Sequence, residues 1–553
     1  MSAASPGYIE LVSTSNFSFL RGGSHPEELA IAAGVLGLKG FGLADRNSFA
    51  GVVRAYVGLR DMEPRPPQGF RYLVGTRLGF ADGTPDLVAY PSDRDAYGRL
   101  CKLISLGNLH KEGEKGNCRL VFDDLAPALS RAKVVDICAE DFTQGQLFIL
   151  MPDETDWAGT EAVLRRLAAH CPGRVWLGAA CRFAGSDRER LNRLADLAHR
   201  TGVPMLASND VLYHEPGRRV LQDVVTCIRE HMSIEAAGRR LEANAERHLK
   251  TPAEMLRLFR EHPQAVAETE RFAARIDFSL DQLKYNYPTE QIGAETTQQT
   301  LERLTWEGAQ ARFENAVPEE VKTQLVAELT LIAEKGYAPY FLTVHDIVRH
   351  AREVVCFCLG ITEVNPEKVD LVFGRFLSTE RDEPPDIDVD FEHERREEVM
   401  QYVYAKYGGN HTGLTANVVT YRSRGALRET AKVFGLSDDT IDAINRLHWG
   451  WDSSPEHEDV RALGLDPADP LLGMVLECAQ ELHGFPRHLS QHVGGFVITR
   501  DELDRLGPIR KSAMDSRTLI EWNKDDIDAL GILQADGPAL GLLTCLRRAF
   551  ALM

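Results

Sequence analysis

"PPDIDVDFEHERREEVMQYVYAKYG", residues 384–408, alternates acid with apolar side chains before turning into an amphipathic run. In a strand successive side chains face opposite ways, and residues two apart lie about 6.6 Å from each other. Asp386, Asp388 and Asp390 therefore share one face, with Ile387, Val389 and Phe391 on the other. Carboxylates that close repel and raise one another's pKa unless a positive group stands between them. Two readings follow: a divalent cation site, or the wet acidic face of an ordinary strand. Helix periodicity over 392–408, closed by Gly408 and Gly409, brings Arg395 and Arg396 directly behind the acids. Carboxylates for two metals beside cationic groups for phosphate are what phosphoryl transfer requires.

The 553 residues exceed what one hydrophobic core organises and predict about three domains. Apolar residues make up 44% and charged residues 26%, the composition of an ordinary soluble protein. No apolar run has the length of a spanning helix and the first residues lack a signal-peptide layout, so the expectation is a cytoplasmic protein with no membrane partner. Ten scattered cysteines without CxxC spacing read as reduced, buried thiols. A net charge of −19 argues against coating nucleic acid by bulk charge, though one basic cleft would suffice for an enzyme.

The first third interleaves short apolar runs, "GFGLAD" (40–45), "YLVG" (72–75), "DLVAYP" (86–91) and "VPMLASND" (203–210), with helical stretches such as "HPEELAIAAGVLG" (25–37). This pattern predicts a parallel α/β domain, a barrel being one form of it, closing near residue 285 at "KYNYPTE". Three- and four-residue apolar spacing predicts helix over 297–313 and 318–353, and again within 424–484. "GGFVITR" (494–500) reads as a strand.

The acidic stretch resembles the palm motif of bacterial C-family DNA polymerases, the family of the polymerase III alpha subunit. The likeness extends to "FSFLRGGSHPEELA" (17–30), "RHLKTPAEMLRLF" (247–259), "DLVFGRFLSTER" (370–381), "TYRSRGALRETAKVFGL" (420–436), "FPRHLSQHVGGFVITRDEL" (485–503) and "EWNKDDIDALGIL" (521–533), with wording most similar to the error-prone branch. The resemblance implies a multidomain α/β fold. A PHP-type distorted barrel (1–285) precedes a polymerase-beta-like nucleotidyltransferase palm (286–418 and 494–553), which a helical thumb (419–493) interrupts. It implies Asp386, Asp388 and Asp536 as catalytic, metal-holding carboxylates for two Mg2+ ions, with Mn2+ as a substitute. It also implies a primer–template and dNTPs as substrates, and suggests translesion accessory proteins and a sliding clamp as partners. Asp390 is expected to support the site without ligating metal. Arg395, Arg396 and His492 are candidate nucleotide contacts. Tyr421, Arg422, Arg424 and Arg428 form a basic patch with an aromatic, suited to duplex phosphates.

Departures from the family fall on chemistry. The Gly-Arg-Gly-Ser segment expected near residue 353 is missing, Glu353 running directly into Val354, and Gln534 stands where a lysine is expected. Gly537 and Pro538 flank Asp536 where strand formers are expected, and the fingers and C-terminal half of the family lie beyond Met553. In the first domain Val12, Arg46, Arg77 and Leu212 occupy places of expected metal ligands or acids, while Asp45, Asp210, His25 and His214 remain. These features set an error-prone DNA polymerase against a second reading, a catalytically impaired remnant that binds DNA or a partner.

Overall fold

The computed structural model describes residues 7–110, 116–129, 140–286, 288, 295–314, 316–351, 391–392, 394, 396–447, 461, 464–466, 468–512, 514, 517–532, 535–536 and 539–552. The chain forms two compact units, Met1–Gln282 with Val418–Ser490, and Leu283–Asn417 with Gln491–Met553.

The first unit is built on a seven-stranded sheet whose order follows the sequence: β1 (Ile9–Ser13), β2 (Gly40–Arg46), β3 (Arg71–Leu78), β4 (Leu87–Pro91), β5 (Gln146–Leu150), β6 (Val175–Ala180) and β7 (Met205–Ser208). Helices such as Pro26–Val35, Arg94–Asn108 and Asp187–Thr201 connect them. Every residue of β1, β4, β5, β6 and β7 is buried, as expected of strands covered on both faces. The expected all-parallel sheet is corrected in one place, because β4 runs antiparallel to both β3 and β5. Apolar content shows that a strand is buried and says nothing of its direction.

The sheet closes on itself just past β7. Val211 N donates to Val12 O at 2.8 Å, and Thr14 N donates to Val211 O at 2.9 Å. Glu10, 1% exposed, ties the seam: it accepts from Tyr8 Oη (2.6 Å), Leu11 N (2.9 Å), Val12 N (2.8 Å), Ser208 Oγ (2.8 Å) and Asn209 N (2.8 Å). Burial raises the pKa of this carboxyl against those donors. Inside the barrel Tyr90 is wholly buried and donates to Leu11 O at 2.7 Å. Gly42 and Gly75 make room for it, since a Cβ on Gly42 would lie 2.1 Å from its hydroxyl and one on Gly75 2.6 Å from its ring.

The helix Arg219–Glu230 carries Leu221, Val224, Val225 and Ile228 at helical spacing. That face packs against Tyr421, Ala426, Val433, Cys478, Leu482 and Phe485 from the later part of the same unit. These residues belong to, or border, helices Ser423–Val433 and Pro470–Leu482. Arg218 Nη1 lies 3.8 Å from Glu481, and the His25 ring meets Phe485 edge-on at 4.8 Å.

In the second unit the helical expectation over 318–353 divides. Helix Glu319–Lys335 stops at Gly336, whose φ of 71° ends the run, and Ala338–Ala351 starts afresh. Helix Arg396–Tyr407 starts four residues later than the periodicity suggested. A five-stranded sheet has the order β11 (Ile509–Lys511), β12 (Thr518–Ile520), β9 (Thr412–Thr420), β10 (Pro486–Ile498), β13 (Ala535–Asp536). A two-stranded piece pairs β14 (Ala539–Leu540) with β8 (Phe391–Glu392).

Candidate functional site

Asp386, Asp388, Asp390 and Arg395 lie outside the described residues, as do Gln534, Gly537, Pro538 and the 353/354 junction. The backbone nevertheless places Asp536. It is the last residue of β13, opposite Gly495 of antiparallel β10, with Ala535 opposite Phe496. Three residues further on, Ala539 pairs in parallel with Phe391 and Leu540 with Glu392.

His492 stands beside the same register. Gly495 N donates to His492 Nδ1 at 2.8 Å, so this nitrogen carries no proton and any ring N–H is on Nε2. The Gly495 backbone joins the histidine to the Asp536 strand. Arg396 opens its helix and is partly buried, with Glu397 and Glu398 in the same turn. Glu397 pairs with Arg517, and Glu394 pairs with Arg548. Arg517 and Arg548 were missed in the sequence because no local motif marks a cation far along the chain from its partner.

In the first unit Arg422 is the cap residue of helix Ser423–Val433, and Arg424 and Arg428 follow one turn apart; all three are exposed. Arg424, Gly425, Arg428, Asp442, Asn445 and Arg446 line an open concavity of about 380 Å³. Arg428 lies 3.6 Å from Asp442. Arg446 thus adds a cation that the sequence reading did not single out. Tyr421 is a correction: it is 4% exposed, with Arg487 over its ring at 5.8 Å, so the patch has arginines and no presented aromatic.

At the mouth of the seven-stranded sheet the four remaining candidate ligands have other partners. Asp45 accepts from Ser15 N (2.8 Å), Ser15 Oγ (2.7 Å) and Ser18 Oγ (2.6 Å). Asp210 accepts from Arg77 at 2.7 Å and pairs with Arg247 at 2.6 Å. Burial alone would raise the Asp210 pKa, but Arg247, then Arg77 and Arg182, outweigh it and hold the carboxyl well below the usual range. His25 Nδ1 accepts from the Asn16 amide at 2.9 Å, and His214 Nδ1 lies 2.8 Å from Ser24 Oγ; burial lowers both imidazole pKa values. Among the described residues no group of three or more His, Cys, Asp or Glu is placed to hold a metal ion.

Residues 299–537 match the family described as the bacterial DNA polymerase III alpha NTPase domain. Proteins named error-prone DNA polymerase are similar over 99% of this chain: 51% identical in Rhodopseudomonas palustris and in Brucella abortus, and 50% in Bradyrhizobium diazoefficiens. The chain belongs to the bacterial C-family of DNA polymerases. Within that family its relatives are the error-prone polymerases, and it spans about half the length of those it matches, 49%, 51% and 48% in the same order. An amidohydrolase structure from Chromobacterium violaceum overlays 37% of this chain and 88% of its own at 15% identity, with a TM-score of 0.23, too low to carry an argument.

Proposed function

We propose that this chain contributes the catalytic palm of an error-prone, DNA-directed DNA polymerase acting in damage-associated synthesis. The observation that carries the reading is half-identity, over 99% of the chain, to proteins of that name. In this reading the first sheet is a PHP-type barrel (1–285), the second unit supplies the palm (286–418 and 494–553), and the helices of 419–493 are the thumb. Asp386, Asp388 and Asp536 form the catalytic carboxylates. Asp388 precedes Phe391 by three residues, as Asp536 precedes Ala539, and Phe391 and Ala539 are register partners. That spacing supports their common placement.

Three carboxylates are hard oxygen donors of the kind Mg2+ takes, and Mn2+ accepts the same set. Two such ions, when bound, supply phosphate charge neutralisation and a more acidic primer hydroxyl. The chain's own groups would orient the substrates. Arg395 and Arg396 would contact the triphosphate together with His492, whose Nδ1 accepts from Gly495 N, and Arg422, Arg424 and Arg428 would grip duplex phosphates. Primer–template and dNTPs are the substrates, and a sliding clamp and translesion accessory proteins are the proposed partners in the cytoplasm. No helix of the described residues is long and apolar enough to cross a membrane.

Single-nucleotide primer extension with Mg2+ or Mn2+ tests this, alongside Asp386→Asn/Asp388→Asn and Asp536→Asn variants. Extension that all three substitutions abolish is expected. Absence of extension by the parent chain, with primer–template binding retained, would favour the impaired-remnant reading, which the names of the half-identical relatives do not favour.

A further inference from the structure

We propose that the mouth of the seven-stranded sheet is an oxyanion site, in which Arg21 and Arg46 take a phosphate-class anion. Arg46 and Arg77 are register partners on the parallel strands β2 and β3, so two guanidiniums stand side by side. Like charges at paired strand positions repel unless an anion lies between them. Asp86 provides it through a single oxygen: Oδ2 accepts from Arg46 at 2.8 Å and from Arg77 at 2.9 Å. Arg77 continues to Asp210, which also pairs with Arg247, and Arg247 reaches Glu242 at 2.6 Å. Arg77 touches two shared carboxylates, Asp86 and Asp210, and Arg247 touches Asp210 and Glu242, whereas Arg46 has Asp86 alone and shares it with Arg77.

The segment of Arg21 is held at the Arg46 end: Ser18 Oγ, three residues before it, accepts from Arg46 N at 2.9 Å, and the carbonyl of Leu20, its neighbour, accepts from Arg229. Arg21 is partly buried and has no hydrogen bond or ion pair among the described residues. Burial, with the charges of Arg229, Arg46 and Arg77 against Asp86 alone, brings its pKa down to about 10. Arg229 is already engaged, donating to Leu20 O at 2.8 Å and pairing with Glu230 at 3.0 Å. A half-buried guanidinium among three others is costly without a counter-ion. Its planar fork matches two oxygens of a phosphate, and Arg46, with a side chain 29% exposed, remains reachable from solvent. The acids at this mouth are occupied by serines and arginines, which turns a cleft suited to cations into one suited to anions.

Phosphate oxygens can come from free phosphate or from a nucleic-acid backbone. The test is calorimetric titration of the whole chain at constant ionic strength with inorganic phosphate and with a short single-stranded oligonucleotide. The parent is compared with Arg21→Gln and with Arg21→Lys, which keeps the charge and loses the fork. One saturable phosphate site is expected, weakened at least about tenfold in Arg21→Gln and less in Arg21→Lys, as for loss of charge-assisted bonds. Phosphate binding that the oligonucleotide does not displace supports a free anion as the ligand. Displacement that disappears in Arg21→Gln supports a backbone phosphate. No saturable binding of either probe, or equal affinity in parent and folded Arg21→Gln, overturns the proposal.

Discussion

Replacing Asp210 by asparagine removes the charge shared by Arg77 and Arg247 while keeping the side chain's shape. The residue sits at φ 46°, a conformation that Asn adopts as readily as Asp, so the backbone adds no strain. Its side chain is only 4% exposed, and it makes ionic contacts of 2.7 and 2.6 Å. Charge-assisted bonds contribute about 1.5–3 kcal/mol each, and orphaning a buried ion costs about 3–5 kcal/mol. Here neither arginine is orphaned, because Arg77 keeps Asp86 at 2.9 Å and Arg247 keeps Glu242 at 2.6 Å. The expected loss is therefore about 3 kcal/mol at pH 7. The pKa of Asp210 is depressed by folding, so its contribution is complete above the unfolded value of about 3.9 and disappears as pH falls below it. The gap between parent and variant should hold from pH 7 to 5, then narrow by about 1.4 kcal/mol per pH unit below pH 4. Urea dependence of hydrogen exchange at the β7 amides reports this sheet rather than the whole chain. A gap under about 1 kcal/mol at pH 7, or one unchanged down to pH 3.5, would refute an ionised Asp210 shared by two arginines.

Gly42→Ala places a methyl group 2.1 Å from the buried Tyr90 hydroxyl, and should destabilise the chain by about 2–3 kcal/mol in urea unfolding, less so in a Tyr90→Phe background. Arg424→Ala and Arg428→Ala should each weaken DNA binding across sequences and reduce the slope of log affinity against log salt by about one; an unchanged slope removes these residues from the phosphate interface. Cys545 is exposed, whereas burial pushes the Cys478 thiol up to about 12. Iodoacetamide at pH 8 followed by peptide mapping should therefore find Cys545 modified in the native chain and Cys478 only after unfolding.

Much of the first sheet was legible in the sequence because its strands are buried on both faces and appear as short apolar runs; β2, β3, β4 and β7 fall where those runs stand. The reversal at β4 was not legible, since burial and strand direction are independent. The break at Gly336 was hidden within a continuous helical pattern that a single left-handed residue interrupts. The expectation of buried thiols agrees with Cys101, Cys171, Cys181, Cys227 and Cys478, which are buried, agrees in part with Cys118, which is partly buried, and fails at the exposed Cys545; Cys138, Cys356 and Cys358 lie outside the described residues. At the sheet mouth the sequence showed Arg46 and Arg77 in place of metal ligands. It could not show that Arg77 meets Asp210 from across the barrel, because that contact depends on closure between β1 and the end of β7. The role proposed for Asp536 rests on its motif, and only the register of β13 relates its backbone to Gly495, with Ala539 of β14 opposite Phe391.

The packing of helix Arg219–Glu230 against residues from 421 onward orders the events of synthesis. Its apolar face leaves the ribosome long before the side chains that cover it, with everything from Met232 to Thr420 emerging in between. At about 5–20 residues per second that interval lasts roughly 10–40 s. Throughout it the newborn barrel carries a stripe of Leu221, Val224, Val225 and Ile228 covered only in part, by neighbours such as Ala237 and Ile234, a surface that chaperones or neighbouring nascent chains can seize. A chain released before Tyr421 never completes the cover.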